Sequence, residues 1–191
     1  MDNMLERLKG GLIVSCYAGA DFNAEMAVPE TMVCVAKSCI AGGAKAIRTN
    51  CENVAAVKAA VDVPGVLMTN SFRDFISGDM ISGDFRITPT LKEVEELIKA
   101  GADGVAVDGT VRERYDGKTL EQFIGAVKKE FGAFVIADIS TVEEGVAAWR
   151  CGADMVGTTL SGYTPYSKNP LPFGTLPSPE PDYEIIRELR A

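Results

Sequence analysis

Several apolar runs in this chain end on a side chain that could do chemistry. Ala44-Lys45-Ala46-Ile47-Arg48 ends on a guanidinium, and Gly104-Val105-Ala106-Val107-Asp108 and Phe134-Val135-Ile136-Ala137-Asp138 each end on a carboxylate. Met155-Val156-Gly157-Thr158-Thr159-Leu160-Ser161-Gly162-Tyr163-Thr164 passes from an apolar run into a turn dense in hydroxyls and backbone N–H donors. In βα-repeat proteins such turns sit at the carboxyl ends of strands, where ligands bind. A carboxylate placed like Asp138, directly after four apolar residues, must be paired or functional, because burying it alone is costly. Asp108 has Arg112 and Arg114 close enough in sequence to pair with it locally. Thr158, Thr159 and Ser161 could face a ligand or only satisfy the turn. The chain contains no histidine, which removes Ser-His and Cys-His nucleophile systems and His-ligated metals. Acid–base work is left to carboxylates, Lys, Tyr, Cys or water.

The elements that must hold these groups alternate regularly. Strands are expected at 11–16, 44–48, 65–69, 104–108, 134–138 and 154–157. Helices are expected at 29–42, 51–61, 89–100, 119–131, 141–151 and 182–190, the last after a Pro-rich loop. Thr88 or Thr90 should cap the helix at 89–100, with Glu93, Glu95 and Glu96 forming an exposed face, and Thr141-Val142-Glu143-Glu144 reads as a capping box. Gly-Ala recurs before strands at Gly43-Ala44, Gly101-Ala102, Gly132-Ala133 and Gly152-Ala153, a helix C-cap glycine feeding a buried parallel strand. Six such units, each about 30 residues, fit an open doubly wound sheet or most of an eight-stranded barrel. A polar residue at nearly every strand end favours the barrel, whose sites are assembled from many strands. The expectation is therefore an α/β chain of (β/α) TIM-barrel type, with about six of eight units in one partial domain over residues 1–191.

Composition narrows the partners. With 191 residues, 47% of them hydrophobic, the chain can bury a substantial core. Its net charge is −8 with no basic run, so nucleic acid and anionic membrane are not expected partners. No apolar stretch approaches the roughly 18 residues of a spanning helix. The amino terminus lacks a cationic-then-apolar signal pattern, so a cytoplasmic location is expected. Cys16, Cys34, Cys39, Cys51 and Cys151 form no C-x-x-C pair and read as buried free thiols, with no metal site expected.

Gly11-Leu12-Ile13-Val14-Ser15-Cys16, Ala46-Ile47-Arg48, Ile87-Thr88-Pro89-Thr90, Asp108-Gly109-Thr110-Val111-Arg112-Glu113-Arg114, Ala137-Asp138-Ile139-Ser140-Thr141 and the Gly157–Thr164 turn fall in a characteristic order. Along essentially its whole length the chain resembles the bacterial N-acetylmannosamine-6-phosphate 2-epimerases, phosphate-binding TIM barrels of sialic acid breakdown. The resemblance implies conversion of N-acetylmannosamine 6-phosphate to N-acetylglucosamine 6-phosphate, by removing and replacing the proton on the acetamido-bearing carbon. It implies a small-molecule sugar phosphate as partner and no cofactor. Matched by position, Arg48 and Asp138 would contact substrate, as would Asp108, Thr110 and Arg112 of the fourth-strand block and Thr158, Thr159, Ser161 and Gly162 of the sixth-strand turn.

The chain departs from the family pattern in three places. Tyr17 stands where the family has glutamine after Ser-Cys. The family's proton-transferring lysine after strand three aligns with Asn70, or with Phe72 if Arg73-Asp74 is taken as its following Arg-Asp pair; Asp74 is then the nearest titratable replacement. The seventh strand with the family's catalytic glutamate and the eighth with its phosphate loop have no counterpart before Ala191, so a fragment of a longer enzyme is the expectation. A six-strand arc leaves two parallel edges unpaired, which predicts association into a homo-oligomer or with a complementing chain.

Overall fold

Six of the apolar runs form parallel strands in the computed structural model, which describes residues 4–17, 25–62, 65–68, 86–170 and 181–190. The strands are β1 (Ile13–Ser15), β2 (Ala46–Thr49), β3 (Gly65–Met68), β4 (Gly104–Asp108), β5 (Phe134–Asp138) and β6 (Met155–Gly157). Each pairs with its neighbour in sequence, giving one sheet in the order β1-β2-β3-β4-β5-β6. A doubly wound sheet reverses direction part-way; this order never does, so there is no topological switch point. Among the described residues no pairing joins β6 back to β1, and the sheet is an open α/β array rather than a closed barrel.

Period-two alternation divides the sheet into two faces. Ile47, Val105, Val107, Val135 and Ala137 point into one large cluster with helical residues such as Met32, Val54, Leu97, Phe123 and Ala148. Ala46, Ala106 and Ile136 point the other way, into a smaller cluster with Leu8, Ile87 and Leu160. Most of the helical residues of the first cluster come from α2 (Pro29–Ala41), α3 (Cys51–Ala60), α4 (Leu91–Lys99), α5 (Leu120–Ala126) and α6 (Val142–Arg150). Burying each large side chain is worth about 1.5–3 kcal/mol, so the helix-facing layer carries most of the stability. The second face is thinner and ends in polar groups.

Helix starts follow the sequence closely. Thr90, Thr119 and Thr141 form capping boxes with Glu93, Gln122 and Glu144. Thr90 rather than Thr88 caps α4, and Thr88 itself is buried at φ 40, an unusual setting for a β-branched residue. Glu93 is not part of an exposed face: it turns back to accept the Thr90 N–H at 3.0 Å. Past Ala126 the helix continues as a π turn (Val127–Phe131) and stops at Gly132, φ 62. Two elements bracket this frame. The unpredicted α1 (Met4–Leu8) buries Leu8 in the second cluster, and α7 (Tyr183–Arg190) lays Leu189 over Gly145, where a Cβ would meet Leu189 Cδ2 at 2.6 Å.

All five cysteines are free, but not all are buried: Cys34 is exposed on α2, a correction to the composition-based reading. Cys16 is buried with its Sγ 3.9 Å from that of Cys39, and burial first, then Cys39, pushes its thiol up to about 12. Among the described residues no helix is long and apolar enough to cross a membrane, and no cluster of His, Cys, Asp or Glu is placed to hold a metal.

Candidate functional site

Arg48, Asp108 and Asp138 stand two residues beyond Ala46, Ala106 and Ile136, so they share the thinner face and crown its carboxyl end. Asp138 is fully buried, lying opposite Asp108 on β4 and Gly157 on β6. It is paired, as its position required, and its partner comes from β2. Arg48 Nη1 donates to Asp138 Oδ1 at 3.1 Å while Nη2 donates to Oδ2, a two-pronged bridge across residues 90 apart in sequence. Thr159 completes it, donating to Asp138 Oδ1 at 2.8 Å and accepting from Arg48 Nη1 at 3.3 Å. Gly157 makes room: a Cβ there would lie 2.6 Å from Asp138 Oδ1. The Arg48 side chain keeps 15% of its surface exposed against none for Asp138, so the bridge has one face toward solvent.

Asp108 sits in a second, local knot. Its Oδ1 accepts from the Thr110 N–H at 3.0 Å and the Thr110 hydroxyl at 2.6 Å, and its Oδ2 accepts from Arg112 Nη2 at 2.6 Å. Arg112 Nε closes the ring by donating to Thr110 Oγ1 at 3.0 Å. Arg112 is therefore the local partner of the Asp108 carboxylate. Arg114 serves the backbone instead, donating to the Asp108 carbonyl at 2.8 Å with its guanidinium 3.9 Å above the Phe123 ring. Burial pulls its pKa below the ordinary arginine value, partly offset by the Asp108 charge. Two carboxylates on adjacent strand ends each thus hold their own arginine, so their mutual repulsion is compensated.

The sixth-strand turn divides its work. Thr159 belongs to the bridge. Ser161 N–H donates to the Thr158 carbonyl at 3.0 Å, and Gly162, at φ 90, donates its N–H to Ser167 Oγ at 2.9 Å. The half-buried Thr158 and Ser161 hydroxyls carry no protein hydrogen bond among the described residues, leaving both free to meet a ligand. Tyr163 packs against the thinner-face cluster, and burial pushes its phenol up, so it stays a neutral donor. The residues proposed from sequence thus converge at one end of the sheet, around two arginine–carboxylate pairs. Asp74, with Asn70 and Phe72, lies outside the described residues.

Sequence reasoning missed one participant and gave two others a different or incomplete role. Gly157 reads as an ordinary turn glycine until Asp138 is seen beside it. Arg114 looked like an alternative partner for the Asp108 carboxylate. Glu144 was read only as a helix cap, although its position in an amphipathic helix already hinted at burial; it is 1% exposed.

A family model described as "Putative N-acetylmannosamine-6-phosphate epimerase" matches residues 32–191. A Cutibacterium acnes protein described as "Putative N-acetylmannosamine-6-phosphate 2-epimerase" is 40% identical over 192 residues, covering 98% of this chain and 74% of its own. The chain belongs to the N-acetylmannosamine-6-phosphate 2-epimerase family. Another member, from Caldanaerobacter subterraneus subsp. tengcongensis, is 38% identical across 98% of this chain and 73% of its own. The solved structure of the Clostridium perfringens N-acetylmannosamine-6-phosphate 2-epimerase superposes with a TM-score of 0.80 at 35% identity, over 98% of this chain and 75% of that one. The family matches therefore extend over the whole strand-end cluster, from Arg48 to Gly162.

Proposed function

We propose that this chain is an isomerase-family protein whose strand ends bind N-acetylmannosamine 6-phosphate for its epimerisation to N-acetylglucosamine 6-phosphate. The observation that carries this reading is the Arg48–Asp138–Thr159 bridge at the carboxyl edge of a parallel sheet, within a chain of this family. On the same reading the six βα units are consecutive units of a (β/α) barrel and a single partial domain. The reaction belongs to cytoplasmic amino-sugar breakdown, and the open edges β1 and β6 favour self-association.

The chemistry sets what the site must supply. The proton on the acetamido-bearing carbon is alpha to the open-chain aldehyde; it leaves one face and another returns on the opposite face, with no heavy-atom bond changed. As it leaves, negative charge grows on the aldehyde oxygen, and fixed donors there lower the barrier. Arg48 has five N–H donors and commits only part of its fork to Asp138, so it and the free Thr158 and Ser161 hydroxyls are suited to that oxygen or to sugar hydroxyls. Asp138 is engaged at both oxygens and serves to hold Arg48 rather than to take the proton. Asp108, Thr110 and Arg112 frame the neighbouring rim, and Gly162 shapes the turn that presents Ser161. The proton-transferring group is not assigned; Asp74, the nearest titratable residue in sequence to the place of the family's lysine, is a candidate for it.

Proton NMR of N-acetylmannosamine 6-phosphate with the chain in deuterated water tests the reading, with calorimetry alongside. Binding heat together with loss of the signal of the proton on the acetamido-bearing carbon and growth of the gluco epimer is the expected result. Heat with an unchanged spectrum would reduce the chain to a non-catalytic binder. No heat at millimolar ligand would end the sugar-phosphate reading.

A further inference from the structure

Three capping boxes start the helices that follow strands three, four and five, and one of them is unlike the others. Gln122 on α5 is exposed and reaches only the N–H of its own cap, Thr119, at 3.0 Å, which shows that a neutral side chain suffices for a cap here. Glu144 on α6 is a carboxylate, is 1% exposed, and has no ion-pair partner among the described residues. Such a group is costly to bury unless its oxygens are saturated. They are. Oε2 accepts from the N–H and hydroxyl of Ser140, both at 2.7 Å, and from the Thr141 N–H at 3.1 Å. Oε1 accepts from the Val111 N–H at 2.9 Å, a backbone group 33 residues away in the loop after β4.

That loop is otherwise held by the hydrogen bonds at Asp108 and by Arg86 Nη1 donating to the Glu113 carbonyl at 2.8 Å, with little packing behind Val111. A cavity of about 370 Å³ lies between residues 109–114 and Ala147 on α6 with Cys151 just past its end, and Val111 is 63% exposed. Packing cannot set the loop's position across a void. The Ser140 hydroxyl also accepts from Thr164 Oγ1 at 2.7 Å, so the same carboxylate reaches the loop after β6 through one intermediate.

We propose that Glu144 is a positioning residue: its carboxylate ties the loop after β4, at Val111 between Thr110 and Arg112, to the loops after β5 and β6, and so orients the Thr110–Arg112 rim toward the Arg48–Asp138 pair. This rests on the reading of those pairs as the sugar-phosphate site. A glutamine at 144 can present its single oxygen to Ser140 and Thr141 and keep the cap. Its amide then faces the Val111 N–H donor to donor, and the tie at Val111 is lost.

The test combines amide hydrogen exchange with calorimetry of N-acetylmannosamine 6-phosphate on the full chain and on Glu144→Gln. Exchange at Val111 should quicken by about tenfold or more, the worth of one charge-assisted hydrogen bond, with Thr141 still protected. Affinity should weaken by a similar factor. Glu144→Asp keeps the charge and the cap but is too short to reach Val111; it should behave like Glu144→Gln and substitutes for it if that variant does not fold. Gln122→Ala removes an exposed cap without touching the tie and should leave affinity unchanged. Unchanged Val111 exchange, or faster exchange with unchanged affinity, overturns the proposal. Failure of the unmodified chain itself to bind the sugar phosphate is a separate result: it refutes the site reading and takes the role of Glu144 with it.

Discussion

Gly157→Ala is the sharpest perturbation of the site, because two well-understood effects predict opposite signs for it. Gly157 lies in β6 without a positive φ, so an alanine fits its backbone, and in open space the change would stabilise by about 0.4–1 kcal/mol through the unfolded chain. Here the added Cβ would stand 2.6 Å from Asp138 Oδ1, well inside the roughly 3.5 Å at which non-bonded heavy atoms sit comfortably. The carboxylate cannot swing away freely, since Arg48 grips both its oxygens and Thr159 donates to one. Overpacking of this kind costs about 1–3 kcal/mol, which outweighs the entropic gain and leaves a net loss of about 2 kcal/mol at the upper end. For a chain of this length that is a fall in Tm of about 4–8 °C. Calorimetric melting and titration with N-acetylmannosamine 6-phosphate read the two consequences, and affinity should drop by about tenfold or more as the Arg48 fork is displaced. A variant that melts at or above the unmodified protein with its affinity intact would show that Asp138 is not clamped against β6, and the geometry of the site would have to be redrawn.

The bridge itself can be measured by a double-mutant cycle. Arg48→Ala or Asp138→Ala alone strands a buried charge and should cost about 3–5 kcal/mol in urea unfolding, whereas the double variant should cost clearly less than the sum; additive losses would refute the coupling. Asp138→Asn, which keeps the shape, should abolish binding or turnover, and unchanged affinity and kinetics would remove Asp138 from the site. Maleimide at pH 8 should label exposed Cys34 first and Cys16 only after unfolding, as mass spectrometry of partially labelled chain would show. Because the Cys16 thiol holds its proton up to about 12 when folded against 9.0 in its unperturbed state, its contribution to stability is complete below pH 9 and declines as pH rises toward 12. The stability difference between the unmodified protein and Cys16→Ala should shrink across that interval; a constant difference would contradict it.

Much of the fold was legible because its determinants are local. Among the described residues, strand-length apolar runs, glycines before them and threonine caps put every strand and all but one helix within a few residues of where they lie. The α1 helix was missed because it is short and takes its reason from Leu8 packing on a face built by residues far along the chain. The π turn after Ala126 carries no composition signal, since its residues suit an ordinary helix equally well. In the site, the logic that a carboxylate after four apolar residues must be paired or functional identified Asp138, and short spacing offered Arg112 and Arg114 as partners to Asp108, between which only the structure chose Arg112. That Arg48 would be the partner of Asp138 was not legible. The two lie on β2 and β5, and no local pattern records which inward-facing side chains meet across a sheet. Glu144 was half legible: its cap is written in four consecutive residues, its tie to Val111 is written nowhere.

The sequential strand order also shapes how the molecule comes apart. Nearly all of its backbone ladder links units adjacent in sequence, so opening can spread one unit at a time. The Arg48–Asp138 bridge does otherwise: it joins the second unit directly to the fifth, across residues 90 apart in sequence. The same contact that builds the binding face therefore also reports whether these distant units are docked. A ligand that engages Arg48 and the turn after β6 together would resist opening of the units between them, and would slow amide exchange in β4 as well as at its own contacts.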